Sequence, residues 1–324
     1  MPELRLVIPG TKLSVSRLCL GGNRLGSALD QTQSFALLDA FVAEGGNFID
    51  TAHIYADWLP DCERSCSEKT IGRWLKSRGY GDMVVATKGG HPKLGAPGVA
   101  RLDSPSLRMD ALASLANLGL DQLDIFYLHR DDPTRPAEEI LADLEQLRGE
   151  GLIRHYAASN WSALRLAEAT AAAERRGWQG FVANQPEWSF ARRNAGAADL
   201  VAMDNAMLHL HKASGLAVIP YSSQAGGYFD KLMAGRIDPP TAALYDNPAN
   251  HATGAFLADA ARHLNATPTQ LMLAALMQSP FVTIPVVGCR TLAQLHATFK
   301  SLDVETARLP QAMQIKLAQM LHAR

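Results

Sequence analysis

The chain has 324 residues, of which 47% are hydrophobic, and this is enough for a substantial core and excludes a disordered protein. Its 31 basic and 32 acidic residues leave a net charge of -1, so the charge favours neither a nucleic-acid partner nor a membrane-surface partner. No CxxC pair, signal-peptide pattern or apolar run of roughly 18 residues is present, so we expect a cytoplasmic protein with reduced cysteines.

Short β-like runs alternate with amphipathic helical patterns along almost the whole chain. Two short segments around Pro9-Gly10 predict a β-hairpin. Eight strands follow, predicted at 17–20, 47–50, 83–88, 125–129, 155–158, 181–184, 217–221 and 282–285. The predicted helices are 33–44, 67–76, 106–118, 137–150, 162–176, 200–213 and 267–277. This order predicts an α/β fold, a single (β/α)8 TIM barrel over 1–324, with the hairpin capping its bottom and an extra helix at 310–322.

A doubly wound open sheet is the competing architecture. It normally has fewer strands and a GxGxxG fingerprint after the first, which residues 21–26 do not match. Ser162 and Thr267 are predicted N-caps, because each precedes a helical pattern and Thr267 is followed by proline. Residues 226–250 contain two adjacent prolines and other turn signals, and they predict a long loop over the top of the barrel.

Three predicted strands end in a titratable residue: Asp50 closes the second, Lys88 the third and His129 the fourth, and Tyr55 follows Asp50. Barrel strands point their carboxyl ends at one mouth, so these side chains are expected to share a pocket. Lys88, held by Asp50, should lower the pKa of Tyr55 from about 10. Such a tyrosine is a general acid suited to protonating a carbonyl oxygen, with His129 orienting that carbonyl. The residues together point to carbonyl reduction, although each alone has an ordinary structural explanation.

A series of short motifs carries a family resemblance. They run in order along the chain at 47–55 (Asn-Phe-Ile-Asp-Thr-Ala-His-Ile-Tyr), 67–72, 85–88, 124–129, 158–160, 184–186, 221–222 and 284–288. In this order they resemble the aldo-keto reductase family, as a bacterial-type member with a short carboxyl-terminal loop. The resemblance implies catalysis by Asp50, Tyr55, Lys88 and His129 and hydride transfer from a nicotinamide dinucleotide bound without a Rossmann domain.

The same resemblance implies the cofactor contacts. Ser159, Asn160 and Gln185 would hold the nicotinamide carboxamide, and Tyr221 would stack on its ring. The other implied cofactor residues are Gly22, Asn23, Asp50, Ser222, Ser223, Gln224, Gly288, Arg290 and Gln294. Arg290 is placed for a 2′-phosphate, so we expect NADPH, with NADH or use of both as the alternative. Ala297-Thr298 depart from the family's usual Glu-Asn or similar pair, so contacts to the adenine stay unassigned.

No metal is expected, since His53, Cys62, Cys66 and His91 fit no compact zinc pattern. The segment 56–66 is longer than the family's usual link and should shape the substrate pocket. The predicted aromatic walls of the substrate pocket are Trp58, Trp188 and Tyr228. They suit a sugar-derived carbonyl or an aromatic aldehyde.

The leading hypothesis is an NADP-dependent enzyme that reduces a small-molecule aldehyde or ketone to the alcohol. The alternative is an NADPH-binding, redox-sensing interaction protein with slow turnover, like the potassium-channel β subunits that share the fold. The physiological substrate, the favoured direction and the choice between monomer and homo-oligomer stay open.

Overall fold

The computed structural model describes residues 4–79, 81–194 and 200–322. Its first elements, β1 (Arg5–Val7) and β2 (Ser14–Ser16), form an antiparallel hairpin. Eight parallel strands follow: β3 (Cys19–Gly21), β4 (Phe48–Asp50), β5 (Val84–Gly89), β6 (Leu123–Leu128), β7 (Ile153–Ser159), β8 (Ala183–Gln185), β9 (Ala217–Val218) and β10 (Val286–Val287). Consecutive strands from β3 to β9 are neighbours, and β10 pairs with β3. Backbone hydrogen bonds from Val218 to Val282 and from Ile284 to Val218, both 2.9 Å, close the ring. The predicted TIM barrel is confirmed.

The helices surround this barrel. They are α1 (Gln31–Ala43), α2 (Cys66–Arg78), α3 (Ser104–Leu118), α4 (Ala137–Gly149), α5 (Ala163–Arg176), α6 (Asn205–Ser214), α7 (Tyr228–Met233), α8 (Pro239–Tyr245), α9 (Pro248–His263), α10 (Pro268–Met277), α11 (Leu292–Phe299) and α12 (Gln311–His322). Ser162 and Thr267 cap α5 and α10 as predicted, and Thr267 forms a full capping box with Gln270. The predicted extra carboxyl-terminal helix is α12. None of the helices in the described ranges combines the length and apolar character that a membrane crossing requires.

Two apolar layers hold the fold together. Inside the barrel, Phe48, Val84 and Ile125 pack with Ile8 and Val15 of the hairpin, so the hairpin fills the end of the barrel where the strands begin. Outside the barrel, the helices bury their apolar faces against the strands. At the opposite end, called the mouth below, the strands finish and polar residues collect.

The predicted long loop at 226–250 is wrong. It contains α7, α8 and the start of α9, separated by short connections. The prolines begin helices here: Asp238 caps α8 ahead of Pro239, and Asn247 caps α9 ahead of Pro248. Two adjacent prolines predict a break in regular structure, but a proline that directly follows an N-cap residue begins a helix.

Several element boundaries also differ from prediction. Helix α6 begins at Asn205 rather than 200, because Asp204 caps it and Ala202 bridges to Glu187 in extended backbone. The last strand is paired at Val286–Val287, beyond the predicted 282–285, although Thr283 still bridges to Val218. Helices α9 and α11 were not predicted.

Buried His211 of α6 makes acid stability testable. Its Nδ1 lies 2.9 Å from the carbonyl of Leu216 and its Nε2 lies 3.1 Å from Asn184 Nδ2, so the neutral ring fits this network. Burial lowers the pKa of His211 to about 4. In the unfolded chain a histidine titrates near about 6.5, so between these values only the unfolded state takes up the proton.

We therefore expect this residue to remove about 3 kcal/mol of unfolding free energy as the pH falls from about 6.5 to about 4. The measurement is urea denaturation of the wild type and His211→Gln across that range. The difference between the two proteins should shrink toward acid pH, and a pH-independent difference would contradict the expectation.

Candidate active site

Asp50, Tyr55 and Lys88 meet at the mouth in direct contact. Lys88, which is 1% exposed, donates through Nζ to Asp50 Oδ2 at 2.6 Å, to the Thr51 carbonyl at 2.8 Å and to Tyr55 Oη at 2.9 Å. These three bonds use all three protons of the ammonium group. No described residue accepts the proton of the Tyr55 hydroxyl, so that proton is available to a ligand in the cleft.

The charge state of this trio follows from burial and pairing. Burial by itself would lower the pKa of Lys88, but the Asp50 carboxylate and Tyr55 raise it above its ordinary value, so the lysine is charged. Burial raises the pKa of Tyr55 more than Lys88 lowers it. The net lowering expected from sequence is therefore wrong, although Lys88 contributes with the expected sign. The phenol keeps its proton at neutral pH, as a proton donor must.

His129 stands beside Tyr55, with ring centroids 6.0 Å apart in an edge-to-face arrangement. Burial, followed by the charges of Lys88 and Arg130, holds the pKa of His129 well below its usual range, so the ring is neutral. Its Nδ1 is buried without a hydrogen-bond partner among the described residues. The ring of His91 also packs edge-on with that of His129, with the two ring centroids 4.8 Å apart. A neutral imidazole can give one hydrogen bond to a ligand oxygen without adding charge.

The residues expected to hold the nicotinamide form one connected network. Gln185 donates to Asp50 Oδ1 at 2.9 Å, and Ser159 Oγ donates to the Gln185 carbonyl at 2.9 Å. Asn160, in left-handed backbone with φ 61°, donates to the His129 carbonyl and to Ser159 Oγ. Its Oδ1 accepts from the Tyr221 hydroxyl at 2.8 Å. The structure therefore brings these residues to Asp50, Tyr55, Lys88 and His129, which are called the tetrad below. Ser159 and Asn160 already use their polar groups within the protein.

The other residues expected to bind the cofactor lie on the loops of the same mouth. Gly22 is buried and Asn23 exposed next to β3, while Ser222 adopts a φ of 54° beyond β9. Gln224 ties two loops together, because its side chain accepts from the backbone amide of Gly288 at 2.9 Å. Ser223 does not offer its hydroxyl to a ligand, since the buried Oγ donates to the Pro220 carbonyl at 2.7 Å.

Two arginines interact electrostatically at the edge of the mouth. β10 pairs with β3, so the segment carrying Arg290 lies beside the segment carrying Arg24. Neither guanidinium has a hydrogen bond or ion pair with another described residue. Partial burial lowers the pKa of Arg24, and the charge of Arg290 lowers it further. Gln294 organises this corner by accepting from the Arg290 backbone amide at 2.8 Å. Arg24 was missed from sequence, where its place after Gly21-Gly22-Asn23 was the available signal.

The three predicted aromatic walls separate into two groups. Trp58 is 52% exposed and its ring lies 6.4 Å from that of Tyr55, so it borders the site. Trp188 is fully buried, stacks on Phe281 and bonds through Nε1 to the Leu321 carbonyl below α12. Tyr228 is also fully buried, and its hydroxyl bonds to Asp246. Trp188 and Tyr228 as pocket walls are corrected: Trp188 packs against Phe281 and α12, and Tyr228 packs against Tyr245 of α8.

Histidines, cysteines and acids do not gather elsewhere into a metal site: within the described ranges, no group of three or more is arranged to hold an ion. The four cysteines are free thiols.

A parallel barrel whose mouth carries a buried lysine–aspartate pair, a phenol and a neutral imidazole belongs to the class of TIM-barrel proteins with ionisable residues grouped at the carboxyl ends of the strands. Within that class, the chain belongs to the aldo/keto reductase family, whose model matches residues 17–314. Members of this family are oxidoreductases that generally use a nicotinamide cofactor and act on small carbonyl compounds.

Individual relatives are similar over most of their length. Norsolorinic acid reductase stcV of Emericella nidulans is 30% identical over 93% of this chain and 78% of its own. Aryl-alcohol dehydrogenase [NADP(+)] of Phanerodontia chrysosporium is 28% identical over 96% of this chain and 84% of its own. A probable voltage-gated potassium channel subunit beta of Oryza sativa subsp. japonica is 27% identical over 93% and 92%.

Proposed function

We propose that this protein is a cytoplasmic, single-domain NADPH-dependent reductase that converts an aldehyde or ketone to the alcohol, with Tyr55 as general acid. The observation that carries the proposal is the buried Lys88 ammonium, which contacts Asp50 at 2.6 Å and Tyr55 at 2.9 Å. It leaves the phenolic proton of Tyr55 without an acceptor among the described residues. This arrangement supports Tyr55 as the proton donor.

The mechanism follows from the charges around the phenol. A nicotinamide dinucleotide held at the mouth would supply the hydride. Tyr55 Oη would give its proton to the carbonyl oxygen as negative charge develops there. Lys88 stabilises the phenolate that remains, and Asp50 keeps Lys88 charged and in place. Neutral His129 donates a hydrogen bond to the same oxygen. Burial of the trio strengthens these interactions because water does not screen them.

The polar groups of the mouth fit a nicotinamide dinucleotide. The buried, unpartnered Nδ1 of His129 and the two guanidiniums of Arg24 and Arg290 are what a site for a polar anionic molecule should offer. Gln185 and Tyr221 would hold the nicotinamide end, and Arg290 with Arg24 the phosphate of the adenosine end. Asn160 would take part by exchanging one of its present partners.

For the substrate, we favour an aryl aldehyde or ketone over a sugar-derived carbonyl. Half-exposed Trp58 stands edge-on to Tyr55 and can pack against a flat ring that presents its carbonyl to the acid. The similarity to an aryl-alcohol dehydrogenase points in the same direction.

The direct test is consumption of NADPH, followed by absorbance, with a panel of aryl, aliphatic and sugar aldehydes. We expect turnover with at least one class and more efficient reduction of the aryl members. Absence of turnover throughout the panel, despite tight NADPH binding, would overturn the proposal. It would favour the second candidate, a cofactor-sensing protein like the potassium-channel subunit that this chain resembles, and size measurement in solution would then test assembly.

Cofactor choice gives a separate prediction. Arg290→Ala and Arg24→Ala are each expected to weaken NADPH binding about tenfold, because each removes a charge-assisted bond to phosphate. Binding of NADH, which has no 2′-phosphate, should not change in Arg290→Ala. Fluorescence titration measures both affinities. Arg175→Ala, which removes an arginine paired with Glu138 on the outer face of α5, is the matched control and should change neither.

A further inference from the structure

Glu68 is a fully buried carboxylate outside the tetrad, and it connects the parts of the fold that carry the tetrad. It lies in the first turn of α2 and accepts from Thr87 of β5 at 2.5 Å and from Asn117 of α3 at 2.9 Å. Its Oε2 lies 3.5 Å from His53 Nδ1. A buried charge is costly unless it is paired, and here the partners come from three other segments.

Two of those partners sit next to tetrad residues. Thr87 immediately precedes Lys88, and because side chains alternate along a strand, Thr87 faces the helices while Lys88 faces the mouth. His53 lies two residues before Tyr55 on the same loop. Its backbone amide donates to the Lys88 carbonyl at 3.1 Å, and its own carbonyl accepts from Ser65 at 2.7 Å. Glu68 therefore contacts both the strand that carries Lys88 and the loop that carries Tyr55.

We propose that Glu68 and His53 are positioning residues that set the separation of Tyr55 Oη from Lys88 Nζ from the outer side of the barrel. The inference rests on the proposed function, since it assigns how the acid of that reaction is held. The contact between His53 and Glu68 is an ion pair only while the imidazole is protonated. Thr87 and Asn117 donate to the same carboxylate from groups that do not titrate.

The protonation of His53 supplies a readout that a purely structural role lacks. Burial is the largest single influence and would lower the pKa of His53, but the nearby carboxylates, with Glu68 foremost, together raise it above the ordinary value. The other charged groups facing His53 are Asp110 of α3 and Asp57 of its own loop, and both raise the pKa further. Below that pKa the charged pair exists, and as the pH rises through it the pair is lost. The kcat of the wild type should therefore decrease in part as the pH rises through the pKa of His53.

The experiment compares His53→Ala with His53→Asn, whose amide nitrogen can replace Nδ1 as a neutral donor. His53 is 29% exposed, so neither change should prevent folding. We expect His53→Ala to lower kcat about tenfold, with KM and NADPH affinity nearly unchanged. His53→Asn should restore most of kcat and remove the decrease with pH. His251→Ala, which breaks an exposed pair with Asp246, is the control and should leave kcat unchanged.

Each outcome decides something. Wild-type kcat and pH profile in His53→Ala would overturn the inference and leave the proposed reaction intact, provided that Tyr55→Phe is inactive. A loss in His53→Ala that His53→Asn does not rescue, with the same pH profile as the wild type, would also overturn it, because it indicates general loosening of the loop. Full activity in Tyr55→Phe would overturn the proposed function itself.

Discussion

Tyr55→Phe should lower the rate of carbonyl reduction by about 10³-fold or more, because it removes the only hydroxyl that Lys88 activates in the described site. The phenyl ring fills the same space, so the edge-to-face contacts to Trp58 and His129 persist. NADPH binding should stay within about twofold of the wild type. Steady-state reduction and fluorescence titration on the same preparation separate the two quantities.

The control for this variant is Tyr156→Phe. Tyr156 is also buried, and its hydroxyl bonds to Glu145 at 2.7 Å beneath α4, away from the tetrad. Loss of that hydroxyl removes a structural hydrogen bond and should leave turnover unchanged. Equal turnover by Tyr55→Phe and wild type would rule out the assigned acid.

Lys88→Met should cost both activity and stability. It leaves the Asp50 carboxylate buried with the amide of Gln185 but without its cation, which typically costs about 3–5 kcal/mol of unfolding free energy. Reduction should fall by about 10³-fold or more, since the phenolate left after proton transfer loses its ammonium partner. Urea denaturation and steady-state assays measure the two losses.

The double variant Asp50→Asn/Lys88→Met separates these effects. With both charges removed, the buried site no longer holds an unpaired ion, so most of the lost stability should return. Activity should not return, because the lysine is still absent. If the double variant were as unstable as Lys88→Met, the loss would come from packing rather than from the stranded charge.

Much of the fold and the location of the tetrad follow from sequence pattern. Apolar strand runs end at Asp50, Lys88 and His129. Because the carboxyl ends of parallel barrel strands meet at one mouth, this pattern predicts that the three side chains lie close together. Local cap chemistry likewise identified the starts of α5 and α10. These features depend on neighbouring residues, so the sequence displays them directly.

Other features depend on contacts between distant segments. The net pKa of Tyr55 is decided by how completely the folded site excludes water, which no local pattern reveals. Trp188 and Tyr228 have the composition of pocket walls, yet both are buried, Trp188 against α12 and Tyr228 against α8. Glu68 stands in the sequence only as part of the motif at 67–72, and its link to His53 and Thr87 exists only once α2 lies against β5.

The central claim is that the phenol of Tyr55 gives up its proton as hydride reaches the carbonyl carbon. The most direct measurement is single-turnover reduction of an aryl aldehyde with NADPH carrying deuterium at the transferred position, in H₂O and in D₂O. We expect deuterium in the cofactor and in the solvent each to slow the same step of the wild-type enzyme. A step that slows with the labelled cofactor and is indifferent to D₂O would contradict proton donation by Tyr55 in that step.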